Sequence, residues 1–498
     1  MSTRHSAGIL GLFLLLGGLF SQSLLMADDE SPSAGKPLDV GSQRILFVDD
    51  TFIAEKSGVE LKLHPPRKTG EQLIVSEHPW ESATLNWFSV LQDGGKYRMW
   101  YECYDVDGWP TADDTSFCYA ESTDGVHWTK PKLGLVSYQG STENNIVFRQ
   151  IGGENHRSRV HGSCVFIDPQ APASERYKCV SQGQFQGIGE RPYYVAGMTS
   201  PDGLHWTRLA KPICLVFADS QYSGFWDESK QQYSLFGRTS GRGGRAIGRA
   251  ISDRFDSFPL LTERCVLQAE PDDPTNCDLY NPACQQYPEV PGLYLMFPSF
   301  FRHREDTLDI RLAVSRDGES WTSPDHTQRF IPLGKSGDFD SGSIYVGNGA
   351  CQLSGDEMSF YYSGSPLKHE EVELPQLSNP TNRRVISRAV AKRDRLVSIT
   401  PTKSVGHLVT LPIRFKGQRL LVNATAQPGG HVRIGLLDQS GHPIAKHGVS
   451  DCQPLTGDQL DWTVAWADGN NVSALAGQNI QLRIELLKAD VFSFQFRE

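Results

Sequence analysis

A chain of 498 residues, 39% of them apolar and 21% charged, is long enough for two or three domains and a sizeable buried core. Its formal net charge of −10 argues against nucleic acid as a partner, because a phosphate-binding surface needs clustered Lys and Arg. With 47 Gly, 29 Pro and 10% aromatic residues it reads as turn-rich and ordered rather than disordered.

Residues 1–27 form a separable segment, with Arg4 and His5 at the start, an apolar run over 9–20, and Leu25-Met-Ala27 as a small-residue cleavage site. This is the pattern of a secretory signal peptide. A single membrane anchor is the competing reading, but Gly17-Gly18 interrupts the run, which is short against the ~20 residues a span needs. A secreted or periplasmic protein with no membrane span after cleavage is expected. The 10 cysteines then suggest disulfides. Cys277 with Cys284, Cys103 with Cys118 and Cys164 with Cys179 are the candidate pairs, and buried thiols in a β core are the alternative.

A polar linker over 28–43 leads to Arg44-Ile-Leu-Phe-Val-Asp-Asp50, a strand followed by an acidic turn. An aromatic strand entered through a tight turn then occurs five times, beginning at Tyr97, Arg176, Gln232, Leu293 and Met358. A candidate innermost strand precedes each, over 88–91, 164–168, 223–226, 283–287 and 344–353. Three units share a further signature: Ser122-Thr-Asp-Gly-Val-His-Trp128, Ser200-Pro-Asp-Gly-Leu-His-Trp206 and Ser315-Arg-Asp-Gly-Glu-Ser-Trp321. In each, Asp accepts backbone N–H bonds, Gly takes φ > 0, and Trp is large enough to pin one unit against the next. Repeats of this length ending in a hairpin predict an all-β, five-bladed β-propeller over 44–405. The segment 44–63 is the expected ring-closing outer strand. Beyond residue 406 alternating strands predict a small C-terminal β-sandwich over 406–498.

The S-x-D-G-x-x-W turns, the repeat count and the trailing sandwich together resemble the five-bladed propeller glycosidases of glycoside hydrolase families 32 and 43, with the mannoside phosphorylases as relatives. The turn is also similar to the sialidase Asp-box, where one residue separates Asp from Gly. Here the two are adjacent, which ranks that reading lower. The resemblance implies a carbohydrate substrate and carboxyl groups at the propeller axis.

Innermost strands of a propeller present their N-terminal ends at one mouth, and glycoside cleavage needs two carboxyl groups facing each other there. The acids just before those strands are Glu81, Asp219, Asp278 and Asp340. Asp219 and Asp340 are the expected acid/base pair, with Asp278 orienting one of them and Glu81 in reserve. Asp168 and Asp227 lie at the far strand ends and read as turn residues. Where an acid is missing in the second repeat, the chain offers Arg157, Arg159 and His161, suited to a carboxylate or sulfate on a sugar. Trp80 and Trp87 are candidate stacking platforms. No metal site is legible and no cofactor is called for. Gly241-Arg-Gly-Gly-Arg-Ala246 lacks a βαβ setting for a dinucleotide, and His369-Glu-Glu-Val-Glu lacks the second His of a zinc protease. A secreted glycoside hydrolase is the first expectation, a non-catalytic carbohydrate-binding propeller the second, and a lyase or phosphorylase using His161 the third.

Overall fold

The computed structural model describes residues 37–106, 115–151, 157–158, 160–185, 188, 193–216, 219–371 and 374–498. The proposed signal peptide lies outside the described residues. Leu374–Leu377 is the α-helix among them, and the rest is strand, turn and short 3-10 helix.

Successive antiparallel sheets stand side by side around an axis, giving a propeller-like β fold. Thr84–Asp93, Lys96–Tyr104 and Ser116–Ser122 form one, with Ile146–Phe148 and Trp128–Thr129 outermost. The next runs His161–Ile167, Tyr177–Gln184, Tyr193–Ser200, Thr207–Arg208, and the one after it Ser223–Asp227, Gln232–Gly241, Gly244–Ser252, Cys265–Leu267. The following unit is split. Cys284–Gln286, Tyr294–Met296 and Ala313–Ser315 pair below, while Cys277–Leu279, Ser299–Arg302 and Thr307–Ile310 pair above. Pro282 and Pro298 fall at two of the breaks, where a residue without an N–H cannot continue the ladder. The upper half leans away and pairs in parallel with Ser343–Ser354 at Leu308 and Ser343. Innermost strands neighbour one another in turn, and Ser343–Ser354 meets Thr84–Asp93 in parallel at Asn348 and Ser89.

Closure uses a shorter strand than expected. Arg67–Lys68 pairs with Val385–Lys392 as the outer strand of the unit built on Ser343–Ser354 and Glu357–Ser365. The segment expected there instead supplies Ile53–Ser57 and Val59–Leu63, which pair with Gly406–Thr410 and Val397–Pro401. They complete an eight-stranded sheet with Arg419–Leu437, Gly457–Thr463 and Gln481–Arg497, curled around its own apolar core of Val422, Ile434, Trp466, Ile484 and Phe494.

The Asp-Gly turns hold the sheets together. Ser200 Oγ accepts from the amides of Asp202 and Gly203, and Asp202 Oδ1 accepts from those of Leu204 and His205 at 2.8 and 2.9 Å. The Gly203 carbonyl takes the indole N–H of its own Trp206 at 2.9 Å and that of Trp100 from the preceding sheet at 2.6 Å. A Cβ on Gly203, at φ +79°, would lie 2.6 Å from the Trp100 ring, so the close approach requires glycine. Each motif Trp packs edge-on or tilted against the previous unit: Trp128 on Tyr361, Trp206 on Phe117, Trp321 on Phe236, with ring centroids 6.0 to 6.1 Å apart. Such pairs add about 0.5–1.5 kcal/mol each beyond their burial.

A second latch recurs at the far strand ends. The hydroxyl of Tyr233 donates to Asp168 at 2.6 Å, that of Tyr294 to Asp227 at 2.5 Å, and that of Tyr177 to Asp93. Asp168 and Asp227, which their strand-end positions marked as turn residues, are therefore inter-sheet struts.

These turns make stability acid-sensitive. Burial alone would raise the Asp202 and Asp317 carboxyls, but the following amides overcome it and hold both down to about 2. A carboxyl depressed below its unfolded value of about 3.9 stabilises fully above that value and loses its contribution as pH falls through the folded one. The melting temperature should drop steeply between about pH 4 and pH 2, and Asp202→Asn should flatten that drop while lowering the plateau. An unchanged acid limb in the variant would show that the turn carries none of it.

The sulfurs of Cys103 and Cys118 lie 3.4 Å apart, yet all 10 cysteines are free thiols. Cys164 and Cys179 occupy neighbouring but not facing registers, opposite Val180 and Val165. The three candidate disulfides are thus not formed.

Candidate active site

Near the N-terminal ends of three innermost strands Trp87 meets His161 and Tyr345, but the four acids are not all brought to this point. Glu81 sits in the 3-10 helix Pro79–Glu81 at 0% exposure. Its carboxylate accepts from Tyr101 Oη at 2.6 Å, Lys130 Nζ at 2.9 Å and the amides of Glu77 and His78. Asp340 is also buried, accepting from Lys68 Nζ at 2.8 Å and Tyr362 Oη at 2.9 Å, so it fastens the ring-closing strand. The helical turn before one strand and the closing strand beside the other direct these two carboxylates into the sheets.

Asp278 reaches the mouth on the upper, leaning half of the split unit. Its Oδ2 accepts from Arg245 N at 3.0 Å, Arg245 Nη1 at 3.1 Å and His303 Nε2 at 3.1 Å. The hairpin carrying Arg245 can press this close because Gly244, at φ +140°, has no side chain; a Cβ there would lie 2.8 Å from Asp278 Oδ2. The Gly-rich stretch is thus a tight turn that presents an arginine.

Asp219 has a side chain that is 57% exposed, and its Oδ1 lies 3.6 Å from His161 Nε2. The other ring nitrogen of His161 faces Tyr104 Oη at 3.1 Å and Glu102 Oε2 at 3.3 Å, and Glu102 Oε1 accepts from Ser163 N at 2.9 Å. Glu102 and Tyr104 extend the aromatic strand Lys96–Tyr104 beyond its repeated part, and no motif marks them.

Trp87 separates this cluster from a second one. Its ring is 6.3 Å from His161, 4.6 Å from Tyr345 and 6.4 Å from Tyr280, almost parallel to the last. The indole nitrogen is buried without a hydrogen-bond partner among the described residues. Trp80, by contrast, lies inside the first sheet, donating to Asn145 Oδ1 at 3.0 Å and stacked on His78, so it is no platform. Arg157 belongs to the short strand Arg157–Ser158, but its side chain, like all of Arg159, lies outside the described residues.

Around Tyr280 and Tyr345 stand Arg238, Arg245, Arg384 and His369. Burial, with Arg384, Arg245 and Arg238 adding to it, pushes the His369 imidazole down to about 4, so it is neutral at pH 7. Beneath the mouth the axis is plugged: Asn348 donates to the carbonyls of Ser163 and Tyr222, and Ser223 Oγ donates to Asn348 Oδ1 at 2.6 Å.

No family model matches the chain. An uncharacterised protein of Mycobacterium tuberculosis (strain CDC 1551 / Oshkosh) is 27% identical over 252 residues, 45% of this chain and 73% of that protein. Among solved structures, one of a glycoside hydrolase is similar with a TM-score of 0.43 and 16% identity, over 66% of this chain and 92% of that one. Another, an N-acetylgalactosamine deacetylase from F. plautii in complex with blood group B trisaccharide, has a TM-score of 0.45 and 15% identity, over 68% and 97%.

Proposed function

We propose that this protein is a carbohydrate-active enzyme on a five-bladed propeller, exported after loss of residues 1–27, that cleaves a glycosidic bond at the mouth. Residues 406–498 serve as a supporting module. The observation that carries this reading is His161, held between Glu102, Tyr104 and Asp219 beside the Trp87 wall. Hydrolysis needs one group to protonate the leaving oxygen and another to take a proton from water, whose oxygen ends on the sugar carbon. Asp219 and His161, 3.6 Å apart, act together as one of those groups, passing the proton between them, with Glu102 orienting the imidazole; the other role falls to a group on the facing wall of the mouth, and the expected pairing of Asp219 with Asp340 is replaced. Trp87 and Tyr345, each 4% exposed, form the aromatic floor of the mouth beneath the sugar.

A non-catalytic carbohydrate-binding propeller is the second reading, favoured by one observation. Glu81, Asp278 and Asp340 are each committed to buried ion pairs, which removes three of the four carboxyl groups from chemistry. A glycan library incubated with the purified mature protein, with new reducing ends as the readout, separates the two. Release from one glycan class is expected, lost in Asp219→Asn with binding retained. Binding without release by the wild type would establish the second reading.

A further inference from the structure

Arg384 is only 6% exposed and has no carboxylate within ion-pair distance among the described residues. Its guanidinium lies 4.5 Å over the Tyr345 ring, Nη2 donates to Ser343 Oγ at 3.1 Å, and Nη1 is buried without a partner. Arg238 is half-buried and likewise has no ion-pair partner among the described residues. Its guanidinium lies 4.7 Å over Tyr280, with Nε and Nη2 buried and unpartnered. Arg245 shares the Tyr280 ring at 5.1 Å and has one carboxylate, Asp278, which His303 also uses. The two tyrosine rings are 5.7 Å apart, so the three guanidinium groups form one cluster.

Among the described residues, three guanidinium groups thus face one carboxylate. The π faces of Tyr280 and Tyr345 offset part of the desolvation, but a buried cation with unmade hydrogen bonds still costs several kcal/mol in an otherwise well-satisfied interior. A cavity of about 710 Å³ opens beside them, lined by Arg238, Ser240, Arg245, Thr262, Asp278 and His303. The neutral His369 caps Tyr280 edge-on at 4.8 Å and adds no compensating negative charge.

We infer that Arg238 and Arg245, which line this cavity, form an oxyanion pocket at the mouth, with Arg384 adding positive charge from over Tyr345, and that the pocket takes the carboxylate or sulfate of an acidic sugar, or a free phosphate of the same chemistry. Guanidinium forks fit such groups with paired, charge-assisted hydrogen bonds, and here they are desolvated and pre-positioned. As an account of the substrate class it rests on the proposed carbohydrate activity; as an anion site it does not.

Calorimetric titration of the mature protein tests it, using tri-galacturonate, its methyl ester, a sulfated disaccharide, the desulfated form and inorganic phosphate. Tighter binding by about tenfold or more is expected for at least one charged probe over its neutral partner, or for phosphate where no sugar discriminates. Arg238→Met should abolish that preference, read as the ratio of charged to neutral affinity in the same variant. Arg384→Met should do the same, and Arg384→Lys, which keeps the charge on the buried stem, should restore part of it. Melting curves exclude unfolding as the cause. Loss of the preference in the methionine variants supports the pocket, and which probe shows it names the source of the oxyanion. Equal affinity for charged and neutral probes with no phosphate binding overturns the pocket, as does a preference that survives both methionine substitutions. Turnover of neutral glycans without anion preference would leave the enzyme reading intact and sink this one; anion binding without turnover would do the reverse.

Discussion

A Lys130→Met variant is expected to lose about 3–5 kcal/mol of stability, because it strands a carboxylate that the fold keeps entirely from water. Lys130 is 7% exposed at its side chain and lies 2.9 Å from Glu81 and 3.2 Å from Glu77. Glu77 stays in solvent and can rehydrate; Glu81 cannot. The Tyr101 hydroxyl and two backbone amides would remain on Glu81, yet hydrogen bonds to a buried anion do not replace its counter-ion. Adding Glu81→Gln to the variant removes the orphan charge and should recover most of the loss, while Glu81→Gln alone strands the lysine less severely, because Lys130 keeps Glu77. Urea unfolding of the four proteins closes the cycle. A loss below about 1 kcal/mol in Lys130→Met would mean the pair is hydrated, and Glu81 would return as a candidate for chemistry.

The legible parts of this molecule are those whose physics is local. The Ser-x-Asp-Gly-x-x-Trp turn is complete within seven residues, and its Trp has the neighbour its size demanded. Asp168 and Asp227 were readable as strand-end residues, though their partners, Tyr233 and Tyr294, belong to the next sheet and share no spacing with them. Ring closure failed because Arg67–Lys68 is too short to show a period, whereas the strands within 44–63 have an alternation that suits any half-buried sheet. At the mouth, strand polarity proposed Asp219 and Asp278 together with Glu81 and Asp340, which turn into the sheets, while His161 entered as part of a basic cluster and Trp87 as a stacking platform. Glu102 was hidden because it lies on a second strand, inside an aromatic run that reads as core. Two of the motifs set aside do reach the site, for reasons their patterns do not express: Arg245 through a glycine hairpin pressed on Asp278, and His369 through its edge-on contact with Tyr280.

Replacing His161 by asparagine is expected to lower kcat by about 10²–10⁴, the range over which a positioned acid or base contributes. Asparagine keeps a donor toward Glu102 but cannot carry a proton between Asp219 and the reacting oxygen. Glu102 does not reach the substrate, since it is fully buried with one oxygen on Ser163 N and the other facing His161. It is a positioning residue. Glu102→Gln preserves its volume and its acceptor for Ser163 while removing the charge that faces the imidazole. Its expected signature is a fall in kcat with KM little changed and a melting temperature near that of the wild type, since a neutral amide in this place leaves no orphan charge. A structural role alone would give the opposite split, a lower melting temperature with kcat per folded molecule preserved. Glu102→Asp, which restores the charge at a longer reach from His161, should recover part of the lost rate. Should Glu102→Gln and His161→Asn both turn over substrate at the wild-type rate, proton transfer does not pass through this cluster, and Asp219 would have to act with a group from another wall of the mouth.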